Sequence, residues 1–487
     1  MIRQFIKHIF LKKKTPFTLN KNSSNTTVIQ PSQLVKKPTI WGKSSHQIDQ
    51  KLLSHNAVNV CQVLQKKGFQ AFIVGGAVRD LLLGKRPKDF DVATDAKPEQ
   101  IRQAFRRARI IGRRFQIVHV MFGAETIEVS TFRAFNQIGA ETDEHGRVLR
   151  DNVFGKQNED GARRDFTINA MYYDPKTETV WDYHHGMEDI QAGVLRMIGD
   201  PGTRYREDPV RMLRAIRFAN KLQLKIDPAT LEPIAKMASL IQNVPAARLF
   251  DEMTKLLSSG QAMACIQGLR QAGLHQGTFP LLDLILNHKQ GQPFLIEALR
   301  RTDERVHDDK PLSLGFLFAC LLWPLTLERW EKKQESNSQK FPALLETIDE
   351  LIYEQSQQLS IPKRITADMR EIWAFQPRFE KRNGTQPFRM IEHPRFRACL
   401  DFLELRTFAK EIDSELANWW RLFYDGDNTT RTRLQAEVKD SQTNGKKKPN
   451  KRKRKNNSTR QPQNAATNSQ ANLSSSTNTT NNHDDES

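Results

Sequence analysis

The spacing of apolar residues divides the chain into two regions of different character. Between residues 49 and 199, short runs rich in β-branched and aromatic residues alternate with helical patterns. The runs at 69–74, 90–93, 115–121 and 126–131 read as strands, and those at 77–83 and 98–107 as helices. That alternation predicts an α+β unit of one domain's length. From about residue 200 the strand signals almost vanish, and apolar residues recur at helical spacing. Val210, Leu213, Ala215, Ile216 and Phe218 open this pattern, and 249–257 continues it, so 200–440 reads as all-helical. No internal repeat is evident. The longest apolar run, 312–327, is interrupted by Pro324. It falls short of the roughly 20 residues a membrane span needs and reads as a buried helix.

Charge changes the picture at the ends. Residues 1–48 hold nine Lys and Arg and no acidic residue, and 446–460 hold nine more, with KKKPNKRKRK among them. These 18 cations account for nearly all of the formal net charge of +19 on the 487 residues. Both 1–48 and 441–487 are rich in Lys, Ser, Asn and Thr, so neither offsets the entropy of ordering, and both read as disordered arms. A basic arm most often meets a polyanion, and two of them favour nucleic acid over a merely solubilising role. The acid-free start also has the composition of an organellar transit peptide, the minor reading. No secretory signal is evident, because Lys7 and His8 break the apolar run 5–11. Cys61, Cys265, Cys320 and Cys399 lack paired spacing, which excludes a disulfide scaffold and a CxxC zinc site. The expectation is a soluble, cytoplasmic protein with no membrane partner.

The densest chemistry lies in FIVGGAVRDLLLGKRPKDFDVAT, residues 72–94. A strand ends in Gly75-Gly76, a helix begins at Ala77, and Asp89-Phe90-Asp91 opens the next strand. Two glycines after a strand let backbone approach a phosphate, with helix N–H groups and Arg79 close by. On a strand, Asp89 and Asp91 share one face while Phe90 faces the core. Two such carboxylates repel unless a divalent cation lies between them, and Mg²⁺ favours a few carboxylates, water and substrate phosphates. Alone, Gly-Gly is often just a turn and DxD a solvated edge; their order and spacing together make the functional reading the stronger one. Neither GxxxxGK[ST] nor GxGxxG is present. Arg163 and Arg164 suit phosphate or ribose, as planar bidentate donors. Arg211, Arg214 and Arg217 fall near one helix face, otherwise a solvated basic stripe. Asp208 and Arg211, three apart, form either a surface ion pair or a fixed edge for reading a base. His184-His185 and His307-Asp308 read as structural. Trp419-Trp420 offer RNA stacking, though core packing is the expectation for at least one.

Gly75-Gly76 followed by Asp89-Phe90-Asp91 resembles the head of polymerase-β-like nucleotidyltransferases. GARRDFTINAMYYD (161–174) and YREDPVRMLRAIRFA (205–219) are similar to motifs of the class containing bacterial poly(A) polymerases and tRNA CCA-adding enzymes. IIGRRFQIVHV (110–120), PAARLFDE (245–252) and EHPRFRA (392–398) resemble the poly(A) polymerase pattern. The resemblance covers about 50–424. It implies a head with a mixed sheet over 49–199, a neck with a base-recognition helix over 200–262, and an RNA-binding helical body over 263–440. The implied reaction is template-independent transfer of AMP from ATP to RNA 3′ ends, with Mg²⁺ or Mn²⁺ held by Asp89 and Asp91. It puts Gly75, Gly76, Arg79, Arg164, Asp208, Arg211 and Arg214 around the nucleotide. For the third carboxylate, Asp165 in RRDFT ranks first and Glu128 on IEVST close behind; a helix N-cap is the bland reading of Asp165. The implied tails mark RNA for degradation machinery. A CCA-adding enzyme is the runner-up, and an RNA-binding adaptor with a dead head the remote alternative.

Overall fold

The structure, a computed structural model, describes residues 37–112, 116–134, 153–275, 292–335 and 339–444. The basic run 446–460, most of the N-terminal arm and residues 113–115 of IIGRRFQIVHV lie outside them. The strands are β1 (Thr39–Trp41), β2 (Ala71–Val74), β3 (Asp91–Thr94), β4 (Ala108–Ile111), β5 (Ile117–Phe122), β6 (Glu125–Thr131), β7 (Met171–Asp174), β8 (Thr179–Asp182), β9 (Val194–Leu195) and β10 (Lys225–Ile226). The first eight form one mixed sheet in the order β1-β8-β7-β2-β3-β6-β5-β4, in which β3 and β6 run parallel and the other pairs antiparallel. All four residues of β2 are buried, as a central strand covered on both faces requires. One face holds Ile73, Val92, Val118, Ile127 and Val129 beneath α1 (His55–Lys66), which buries Ala57, Val60, Cys61 and Leu64 at helical spacing. The other carries Phe72, Val74, Ala93, Phe132, Tyr172 and Tyr183.

After β2 comes α2 (Gly76–Leu82), and after β3 comes α3 (Pro98–Ala104). From residue 201 the described residues are almost entirely helical. The first part of this region, termed the neck for its place after the head, contains α4 (Pro201–Glu207), α5 (Val210–Leu222) and α6 (Ala246–Leu257). Its core is continuous with Phe166, Ile168, Leu195 and Met197 of the head, so head and neck share buried surface. Each large side chain on that seam contributes roughly 2 kcal/mol by leaving water. Pro324 lies inside the buried helix Leu314–Glu335, where 312–327 predicted one. No helix among the described residues is long and apolar enough to cross a membrane. The four cysteines are buried and unpaired.

Three expectations shift. Thr39–Trp41 adds an edge strand to β8, so the sheet reaches into the stretch 1–48 read as an arm. Three residues with one aromatic are too short to carry a periodic signal, and main-chain pairing decides. At the other end a helix, Asn428–Asn444, runs past the boundary at 440. Finally, β3 begins at Asp91, so Asp89 lies just before the strand instead of on it.

Candidate active site

Gly75 closes β2 with φ +68° and ψ −128°, a conformation only glycine adopts without strain, and caps α2. A Cβ there would come within 3.2 Å of Arg164 Nη1. The turn therefore brings backbone against a cationic wall. Val74 pairs with Asp91 across the antiparallel ladder, and Asp91 pairs with Glu128 across the parallel one. Directly opposed residues project to the same side, so Asp91 and Glu128 stand together beside the glycine turn. Phe90 is buried in the core of the opposite face, as expected. Asp91 is open to solvent at the cleft floor, yet its carboxyl is pushed up to about 6. The walls of the cleft do most of this, Glu128 and Asp89 add to it, and Arg164 opposes it.

A cavity of about 740 Å³ opens between head and neck and is lined by Gly75, Gly76, Arg79, Asp89, Asp91, Arg164, Asp165, Asp208, Arg211 and Arg214. Ten of the residues singled out in the sequence for catalysis or nucleotide binding thus meet in one place, drawn from both regions of the chain, whereas Glu128 and Arg163 do not line it.

Their partners sort them. Arg79 is buried on α2 and donates to Asn169 Oδ1 (2.7 Å) and, through Nε and Nη2, to Asp80 Oδ1. Arg164 donates to Asp160 Oδ2 and to the Asn169 carbonyl, with its guanidinium 5.3 Å from the Tyr172 ring. Asp165 and Glu128, the rivals for the third carboxylate, differ sharply. Asp165 Oδ2 accepts from Arg214 Nε (2.8 Å) and Nη2 (2.7 Å), and Oδ1 from Phe166 N–H (2.8 Å) and Asn169 Nδ2 (3.1 Å). Burial opposes its charge, but Arg214 and these donors hold the carboxyl well below the usual carboxylate range. All four contacts fix the orientation of Asp165 at the cavity wall, which Glu128 does not line. Glu128 stands across the parallel ladder from Asp91; its side chain is 54% exposed and lies 3.3 Å from His119 Nε2.

In the neck, Asp208 caps the end of α4 in an extended conformation. That break turns it from Arg211. Asp208 Oδ2 instead accepts from Arg248 Nη2 of α6 at 2.6 Å, while Oδ1 is buried without a hydrogen-bond partner among the described residues. Arg211 donates to Glu207 and to the Arg204 carbonyl at the C-terminal end of α4, where a cation suits the helix dipole. The expected Asp208–Arg211 pair is thus replaced by two others. Sequence reading also missed Arg204, whose buried Nη2 donates to the carbonyls of Arg163 (2.7 Å) and Arg164 (2.6 Å), stapling neck to head. Glu252, buried, pairs with Arg214 and Arg217. The run PAARLFDE contains both Arg248 and Glu252, but nothing local marks their distant partners. Trp419 and Trp420 are both buried and donate to the carbonyls of Leu434 and Phe379, so neither is an RNA-stacking surface.

The chain is 44% identical over 409 residues to Poly(A) polymerase I of Salmonella typhi, spanning 81% of this chain and 88% of that protein. The chain belongs to the bacterial poly(A) polymerase family. Within this family's pattern, residues 71–196 match the Poly A polymerase head domain and 223–286 the probable RNA and SrmB-binding site of polymerase A. Residues 336–457 match the polymerase A arginine-rich C-terminus. The CCA-adding enzyme of Bacillus subtilis (strain 168) is 38% identical over 222 residues, only 45% of this chain and 54% of that one. Among solved structures, a tRNA-processing enzyme in an apo form has the same fold, with TM-score 0.50 and 22% identity over 78% of this chain and 99% of that one. Polymerases of the poly(A) polymerase family use divalent metal ions. Among the described residues no three His, Cys, Asp or Glu converge as ready metal ligands. The pair Asp89 and Asp91 fits Mg²⁺, which takes one or two carboxylates and completes its shell with water and substrate phosphates.

Proposed function

We propose that the cleft between head and neck is where this enzyme transfers AMP from ATP to RNA 3′ ends without a template, releasing pyrophosphate. The carrying observation is the meeting of the glycine turn, the Asp89/Asp91 pair and the neck arginines in one cavity. Asp89 and Asp91 would hold Mg²⁺ (or Mn²⁺), with Glu128 beside them, and the bound ions would stabilise the attacking and leaving oxygens together. The Gly75-Gly76 backbone and the guanidiniums of Arg79, Arg164 and Arg214 face the triphosphate. Asp165 orients Arg214 through its two-pronged bond.

Base choice falls to Asp208. With Oδ2 fixed by Arg248, the buried and unpaired Oδ1 would become an acceptor for a base seated against this part of the cleft wall. An acceptor rewards the exocyclic amine of adenine or cytosine and penalises the carbonyl of guanine or uracil. Arg211, held by Glu207, borders the same space. A match to the Poly(A) polymerase I sequence over most of the chain, against less than half for CCA-adding enzymes, supports ATP as the nucleotide. RNA is gripped through its phosphates by basic helices and arms, so binding is broad and salt-dependent. The division into head (49–199), neck (200–262) and body (263–440) remains our proposal, as do a cytoplasmic setting and hand-over of tailed RNA to degradation machinery.

Replacing Asp89 and Asp91 with Ala tests the metal assignment. Transfer should be lost while the protein still binds single-stranded RNA. Surviving transfer would remove both residues from that role.

A further inference from the structure

Phe218 lines the cleft, is 7% exposed, and has no role in the reading above. Its ring is the meeting point of three cations. The guanidinium carbons of Arg217, Arg214 and Arg79 lie 4.4, 5.1 and 5.2 Å from the ring centroid. Arg214 and Arg217 share α5 with Phe218, whereas Arg79 comes from α2 of the head. Phe166 meets the ring edge-on, 5.8 Å away at 80°, and fixes its plane.

Three like charges around one point repel, and the surrounding carboxylates compensate unevenly. Arg79 has Asp80, and Arg214 has Asp165 and Glu252. Among the described residues, Arg217 has only a 3.3 Å contact to the shared Glu252, and its buried Nε has no hydrogen-bond partner. Arg217 is also the closest of the three to the ring. The negative face of an aromatic quadrupole attracts a guanidinium most strongly where water is excluded, as it is here.

We propose that Phe218 is a positioning residue for the nucleotide's phosphates. Its π face gathers one head arginine and two neck arginines across the cleft, so that they meet the triphosphate as a preformed set. This rests on the reading that the cleft takes ATP.

The test keeps volume and changes the quadrupole. In the full-length protein, Phe218 is replaced by 4-fluoro-, 3,5-difluoro- and 3,4,5-trifluorophenylalanine, and separately by Leu. Three quantities are read: KM for ATP, inhibition by inorganic tripolyphosphate, and the melting temperature. Both the KM and the tripolyphosphate inhibition constant should climb stepwise with fluorination, to roughly three- to tenfold for the trifluoro ring and Leu. The melting temperature of the fluorinated series should hold. A flat series, or a rise in KM for ATP without a parallel rise for tripolyphosphate, would overturn the proposal. Failure of the unmodified protein to incorporate AMP would instead overturn the reading of the cleft.

Discussion

At Asp208 the two carboxylate oxygens have different fates, one bound to Arg248 and the other buried without a partner among the described residues. If the free oxygen reads an exocyclic amine, replacing it with an amide nitrogen should relax the choice. Asp208→Asn is expected to raise GTP and UTP incorporation relative to ATP by about tenfold, the worth of one base-edge contact. Competition among the four nucleoside triphosphates measures this, and an unchanged ratio would take Asp208 out of base selection. Asp165 makes a prediction of another kind. Its carboxyl is depressed in the folded protein, so its contribution to stability is full above the unfolded value of about 3.9. That contribution fades as pH falls towards the folded value. Asp165→Asn should cost about 2–3 kcal/mol at pH 7, the low end for a buried pair because Arg214 keeps Glu252. The gap between variant and wild type in urea unfolding should narrow as pH falls below about 5. A gap that stays constant with pH would contradict the ion pair.

Among the elements, α4 owes its hold on the head to Arg204. One guanidinium donates to two consecutive head carbonyls and to Glu207, a fork that lysine cannot reproduce. Arg204→Lys should lower the unfolding free energy by about 2–3 kcal/mol and the melting temperature with it. Unchanged melting would show that apolar packing alone joins head and neck. This staple also shows where sequence reading stops. The β2–Gly75–α2 turn was legible because glycine placement and strand-to-helix periodicity are local. So was Asp91, two residues from Asp89. Arg204 to Arg163, Asp208 to Arg248 and Arg79 to Phe218 span roughly 40 to 140 positions, and a single sequence carries no signal for such pairings. The Asp165–Arg214 pair is of the same kind: the RRDFT motif marks Asp165, but Arg214, which binds its Oδ2, is 49 residues away. The edge strand β1 escaped because three residues have no period to read.

Across the whole molecule, the basic run near the C-terminal end is separate in sequence from the chemistry. The cleft is built from residues 75–252, whereas the nine cations of 446–460 lie well beyond it in sequence. Deleting 445–487 should weaken primer binding and flatten the dependence of log affinity on log salt by about 0.7 for each lost phosphate contact. Addition of a single nucleotide should survive. An unchanged salt slope would remove the tail from RNA binding. The central claim is that this cleft adds AMP, without a template, to RNA 3′ ends. The most direct measurement offers a generic single-stranded RNA and a tRNA lacking its CCA end to the full-length protein with Mg²⁺ and each nucleoside triphosphate in turn. Long extension with ATP alone, on both RNAs, is the predicted result. Addition of CCA that stops, on the tRNA only, would contradict it.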